Sequence, residues 1–446
     1  GAVVDRAGRF EEAIDLRLRE TWGRMIEPIL VAWEGTTGPI DVRLPERQAE
    51  ATLRRTLTKE SGDTQEQTFD LAGLPSVARV EAGGLRYVAK RLPGFEHLPW
   101  GYHRLRVECD GIAADALILS SPQRAYSPTG TGPASRSWGV FAPLYAVHSR
   151  RSLGAGNLAD FESLWQWTAG LGGGVVATLP MLATFLAEPL EPSPYSPVSR
   201  LFWNEFYIAL DKVPELAACT AARELLGSAP VLKEVASWRR AREIDYRRQM
   251  ALRRRVLELL AEHCFRQRGE RWESLQRYAA AHPALDDYAR FRAAGERLAS
   301  VWPQWPERLR QGRIEPGDYD EPAFRYHRYV QWIADEQLSG LAKKLREGGP
   351  GLYLDLPLGV HRHGYDAWRH PDLFASGLSG GAPPDAVFTK GQNWDFAPLR
   401  PDRLRADGYR YFIAGLRSHL RHAGILRIDH VMGLHRLFCI PAGMPP

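Results

Sequence analysis

The chain is poor in sulfur and in uninterrupted apolar sequence. Four cysteines occur among 446 residues (Cys109, Cys219, Cys264 and Cys439), far apart and with no CxxC pair. That spacing argues against a zinc ribbon and fits reduced thiols better than a disulfide framework. No run of about 18 apolar residues is present, so no membrane-spanning helix is expected. The opening GAVVDRAGRFEE has neither an apolar signal core nor an initiator methionine, and the cytoplasm is the expected compartment. No GxGxxG follows any strand-like segment, which removes the main support for a dinucleotide-binding sheet.

What is present is ordinary for a globular protein of two or three domains, with 44% hydrophobic and 25% charged residues. A net charge of +5 raises nucleic acid as a partner. Such a partner needs basic residues gathered on one face, because affinity comes from counterion release along phosphates. Here the arginines are scattered among acids, as in RYHRYVQWIADEQL. The densest cluster, Arg239 to Arg255, alternates with apolar residues and includes Glu243 and Asp245, and it reads as a solvated helix face. Nucleic acid is not expected as a partner.

Texture changes along the chain define the organisation. Residues 1–22 carry helical spacing (Phe10, Ile14, Leu18, Trp22). Over 23–126, short alternating runs such as PILVAW, IDVRLP, SVARVEA, LRYVAKRLP, HRLRVEC and ADALILS are separated by turn residues, which predicts a β-sandwich. A Pro/Gly/Ser-rich linker follows at 127–137. From 138 to 446 the pattern becomes strand, loop, helix: WGVFAPLYAV, GVVATLPML, GLYLDLPLGV and GILRIDHVMG read as strands, with a helical insertion at about 215–347. Strand–helix–strand units give a parallel sheet, and between an open sheet and a (β/α)8 barrel the barrel is favoured. Polar residues recur where barrel strands end: His148 and Arg150, Asp355 and His361, then Arg427, Asp429 and His430.

ILRIDHVMG places Arg427 and Asp429 in otherwise apolar sequence, so they must pair or face a cleft. A buried ion pair tying the strand end is one reading. The other is an ionised carboxylate held by an arginine two residues earlier, as a glycosidic nucleophile requires.

Segments LGAGNLADF, SPYSPVSRLFWNEFYI, IDY at 244–246, LDDYARF, QWIADEQL, DLPLGV, GAPPDAVFTKGQNW and LRIDHVMGL run in order through the second half. In them the chain resembles the amylomaltase, or disproportionating-enzyme, family of 4-alpha-glucanotransferases in the alpha-amylase clan. The resemblance implies a first half of a (β/α)8 barrel behind an amino-terminal sandwich, and transfer of alpha-1,4-glucan segments to glucose or a maltooligosaccharide by a retaining route. It implies Asp429 as nucleophile, Arg427 as the group holding it ionised, and His430 as a donor-sugar contact. It further implies Tyr195 near the cleavage point, Asp355 and Asp366 near the site, and Trp394 as an acceptor-side platform. No cofactor or metal is implied. Tyr195 as a turn tyrosine and Trp394 as a packing residue stay open on the residues alone, and Asp385 reads as a loop cap.

Departures from the family pattern are Asn157 where an acid is usual, ATLPMLATF where Asn and His are usual, and Asp395 in GQNWD where GQNWG is usual. The family's acid/base glutamate is expected beyond residue 446, so the sequence reads as a fragment truncated at both ends. A mainly hydrolytic enzyme of the same clan and a non-catalytic glucan-binding fragment are the rival readings.

Overall fold

A computed structural model of the protein describes residues 10–126, 137–347, 349 and 351–446. The expected helix is found as Phe10–Trp22. Its predicted start and linker residues 127–136 lie outside the described residues. Two compact units divide the chain: residues 1–131 with 401–410, and residues 132–400 with 411–446.

In the first unit a six-stranded sheet runs in the order Thr36–Thr37, Ile29–Trp33, Ile112–Ser121, Gly101–Cys109, Thr52–Thr58, Thr64–Asp70. A three-stranded sheet is ordered Ile40–Pro45, Leu85–Leu92, Ser76–Ala82. Alternation puts every second side chain inside: Ile40, Val42 and Leu44 are buried while their neighbours are half-exposed. They join Leu53, Leu57, Leu105, Val107 and Ile118 in one core. This is the predicted β-sandwich.

The second unit holds a four-stranded parallel sheet ordered Gly139–Phe141, Val175–Ala177, Gly351–Leu356, Ile425–Ile428, the succession of an incomplete (β/α)8 barrel. The first two strands are shorter than their sequence patterns. After Ala142 donates to the Ala177 carbonyl at 3.0 Å, Pro143 has no N–H and ends the ladder. Beyond Ala177 the hydroxyl of Thr178 accepts from the Leu144 amide at 2.8 Å, a side-chain bond replacing a strand bond.

Helix Leu158–Gly170 joins the first two strands. Asn157 caps it, its side chain accepting from the Ala159 and Asp160 amides while Asp160 reaches back to the Asn157 amide. Among the described residues seven α-helices, from Thr220–Gly227 to Glu321–Arg346, lie between the second and third strands of this sheet. The arginine cluster is only partly solvated. Arg253 is buried in helix Tyr246–Gln267, its guanidinium over the Phe206 ring at 4.8 Å. All four cysteines are free; three are buried and Cys439 is exposed. Among the described residues no helix is long and apolar enough to cross a membrane.

Candidate functional site

The site grows from strand register. Gly351–Leu356 is buried along nearly all its length, as a central parallel strand should be, and Asp355 is its acidic residue. Its Cα partner on the neighbouring strand is Arg427, and paired residues of parallel strands share a face. Asp429 is two residues beyond Arg427 and returns to that face, its amide donating to the Leu356 carbonyl at 3.0 Å. The Arg427 fork fills the gap, with Nη1 2.7 Å from Asp355 Oδ2 and Nη2 2.7 Å from Asp429 Oδ1. One guanidinium thus serves two carboxylates.

Tyr195 comes from the SPYSP turn, and its hydroxyl donates to Asp355 Oδ2 at 3.0 Å. Burial pushes the Tyr195 phenol up to about 12, with the Asp355 charge adding to the effect, so the group stays a donor. Asp355 is 3% exposed and its Oδ1 is buried without a hydrogen-bond partner. Burial lifts its carboxyl above the ordinary range, against the Tyr195 and Arg427 contacts that pull it down. For Arg427 the two carboxylates outweigh the effect of burial and raise it. Asp429 is the more open acid, with its side chain 24% exposed.

His430 leaves the strand in the left-handed region, φ 45°, and its ring meets Trp394 edge-to-face at 5.0 Å. Trp394 is half-buried, stacked near Phe396 (6.4 Å, 10° between planes), with its indole N–H 3.2 Å from Gln392 Oε1. Phe396 is seated by two glycines: a Cβ at Gly380 would lie 2.2 Å from its ring, and one at Gly359 2.3 Å. Asp395 occupies φ 52°, a conformation that favours glycine, and Arg362 pairs with it at 2.8 Å. The GQNWD departure therefore substitutes an ion pair for backbone ease.

The structure thus brings together Tyr195, Asp355, Arg427 and Asp429, and sets His430 against Trp394. It does not bring Asp366 to them. That carboxylate is fully buried, accepting from Ser199 Oγ at 2.6 Å, the Arg200 amide at 2.8 Å and the Tyr411 hydroxyl at 2.7 Å. Its reach is indirect. The Arg200 guanidinium donates to the carbonyls of Pro357 and Leu358, just past the strand bearing Asp355. Arg200 was not singled out in the sequence, and its position inside SPVSRLF was the available signal. Asp385 caps its loop, accepting from the Val387 and Phe388 amides at 2.7 and 2.5 Å. His148 and Arg150 are exposed, while His361 is half-buried and its imidazole is pushed down to about 4 by desolvation. In ATLPMLATF, Thr178 and Met181 to Thr184 are packed inside.

Fold and site together define a β-sandwich followed by an incomplete (β/α)8 barrel that carries an arginine-bridged pair of aspartates at its strand ends. Residues 142–445 match the family described as 4-alpha-glucanotransferase, glycoside hydrolase family 77, and residues 25–122 match the MalQ N-terminal beta sandwich domain. The chain belongs to this 4-alpha-glucanotransferase family. It is 33% identical over its whole length to a 4-alpha-glucanotransferase of Mycobacterium bovis, spanning 62% of that protein. It is 30% identical, over 78% of its length, to the Haemophilus influenzae 4-alpha-glucanotransferase, spanning 52% of it. The crystal structure of amylomaltase from Corynebacterium glutamicum superposes with a TM-score of 0.81 at 27% identity, covering 98% of this chain and 60% of that one. The chain therefore spans about three fifths of the length of the relatives that match it throughout.

Proposed function

We propose that the protein carrying this chain transfers alpha-1,4-glucan segments to the 4-hydroxyl of glucose or a maltooligosaccharide, with Asp429 as nucleophile. The observation that carries the reading is the Arg427 fork, which holds Asp429 and Asp355 from one guanidinium at 2.7 Å each. A carboxylate so held is oriented for attack on an anomeric carbon.

In the first step an Asp429 oxygen bonds to the anomeric carbon as the glycosidic C–O bond breaks, and the departing 4-oxygen takes a proton from a general acid. In the second, an acceptor 4-hydroxyl attacks the same carbon and returns its proton to that group, freeing the Asp429 carboxylate. By the family resemblance the general acid is a glutamate beyond residue 446, about 5–5.5 Å from the nucleophile as retention requires. Asp355, which shares the Arg427 fork with the nucleophile, would accept from a sugar hydroxyl. Trp394, beside His430, offers a ring face to the acceptor sugar, and His430 contacts the donor. The proposed compartment is the cytoplasm, where maltooligosaccharides would be the partners.

The test is the product pattern from maltotriose, made by the full-length protein. Transfer yields glucose and a ladder of longer maltooligosaccharides. Hydrolysis yields only shorter sugars, and that pattern overturns the reading.

A further inference from the structure

The Tyr195–Asp355 hydrogen bond is one side of a closed ring of contacts, and Arg200 makes the opposite side. Tyr195 and Arg200 belong to one segment, SPYSPVSR. Asp355 and the acceptors of Arg200 belong to another. Arg200 Nη2 donates to the carbonyls of Pro357, at 3.1 Å, and Leu358, directly after strand Gly351–Leu356. Leu356, between Asp355 and Pro357, carries the carbonyl that accepts from the Asp429 amide. The two segments are thus joined at the acids and again at Arg200.

Backbone contacts close the interval. The His361 amide donates to the Pro197 carbonyl at 2.8 Å, and the Asp366 amide to the Val198 carbonyl at 3.4 Å. Gly364 permits this approach, since a Cβ there would lie 2.5 Å from the Val198 oxygen. Asp366 fixes the base of Arg200 by accepting from the Ser199 hydroxyl and the Arg200 amide.

Filling space does not by itself explain Arg200. The residue is 3% exposed, and its Nε and Nη1 are buried without hydrogen-bond partners. Its guanidinium lies 5.7 Å from the Tyr411 ring and 6.0 Å from the Phe412 ring. An apolar side chain of similar length would pack there without stranding donors. What it could not do is grip two carbonyls. Residues 357–360 lie outside any helix or strand, so a grip there fixes chain that regular structure does not.

We propose that Arg200 is a positioning residue for glucan transfer: by holding the carbonyls after the Asp355 strand, it sets the reach of the Tyr195 hydroxyl to Asp355. The proposal rests on the transfer reading above. Arg200 acts through Tyr195 and touches no reacting atom.

The experiment measures pH–rate profiles with maltotriose for the full-length parent, Tyr195→Phe, Arg200→Met and the double variant. Arg200→Met keeps an unbranched stem and deletes the donors. If Arg200 works through Tyr195, both changes remove the same contact. Arg200→Met is then expected to lower kcat/KM about 10-fold at pH 7. It also moves the acid limb to higher pH, because Asp355 loses the Tyr195 donor while Arg427 and Asp429 still face it. The double variant should fall no more than about 3-fold below the weaker single variant. Arg200→Lys, which can reach one carbonyl but has no fork, should regain about 3-fold of the loss. If the methionine variant does not fold, the lysine variant decides by the same comparison with Tyr195→Phe. Losses that multiply to about 100-fold in the double variant, or an acid limb unmoved by the Arg200 change, overturn the positioning role and leave the transfer reading standing. A parent that makes no longer maltooligosaccharides overturns both.

Discussion

Tyr195 and Asp355 lie 160 positions apart and meet through a 3.0 Å hydrogen bond from phenol to carboxylate. The contact opposes burial, which lifts the Asp355 carboxyl. Tyr195→Phe deletes the donor, so the Asp355 carboxyl rises further and is ionised only at higher pH. The acid limb of kcat/KM moves to higher pH, and at pH 7 the rate constant falls roughly 10-fold, about 1.4 kcal/mol. A pH–rate profile of both proteins checks it.

Arg427→Lys retains the charge but loses the fork. One ammonium cannot hold Asp355 and Asp429 with the geometry of two guanidinium nitrogens. The expected loss in kcat/KM is roughly 100-fold, about 2.7 kcal/mol, with the circular dichroism spectrum unchanged. Initial rates with maltotriose give the answer.

Trp394→Ala removes the ring that His430 touches. KM for glucose as acceptor should rise about 10-fold while donor consumption at saturating acceptor changes by less than about 3-fold. Varying glucose at fixed donor separates the two effects.

Asp366 yields a stability prediction. Asp366→Ala leaves Ser199 Oγ and the Arg200 amide without this buried acceptor, for a loss of about 2–4 kcal/mol. The pH dependence comes from the intact acid, whose carboxyl burial raises above the ordinary range. The folded protein therefore holds the proton more tightly than the unfolded chain. The associated stability is fully present below about pH 4 and is lost as pH rises through the folded value. Asp366→Asn has no proton to lose, so its stability relative to the parent improves from pH 4 to pH 7. Urea unfolding at both values measures this.

Much of this was legible in the sequence, for identifiable reasons. Strands such as IDVRLP alternate cleanly because one face is buried. The polar strand Thr64–Asp70, TQEQTFD, gave no such signal because it sits at the sheet edge and is exposed along nearly all its length. Arg427 and Asp429 were readable because two charges in an apolar strand need a partner. That the partner would include Asp355 depends on register between strands 72 residues apart, which local sequence does not encode. Asp366 was placed near the site by the family resemblance alone, and helix Tyr365–Arg369 buries its side chain in the core.

The central claim is that Asp429 becomes covalently glycosylated. The direct measurement is mass spectrometry of peptides from the full-length protein after incubation with a fluorinated alpha-glucosyl fluoride, which slows release of the intermediate. The account predicts one sugar adduct, on the peptide containing Asp429, and none in the Asp429→Asn variant. An adduct on another residue with Asp429 unmodified, or equal labelling of the variant, would contradict it.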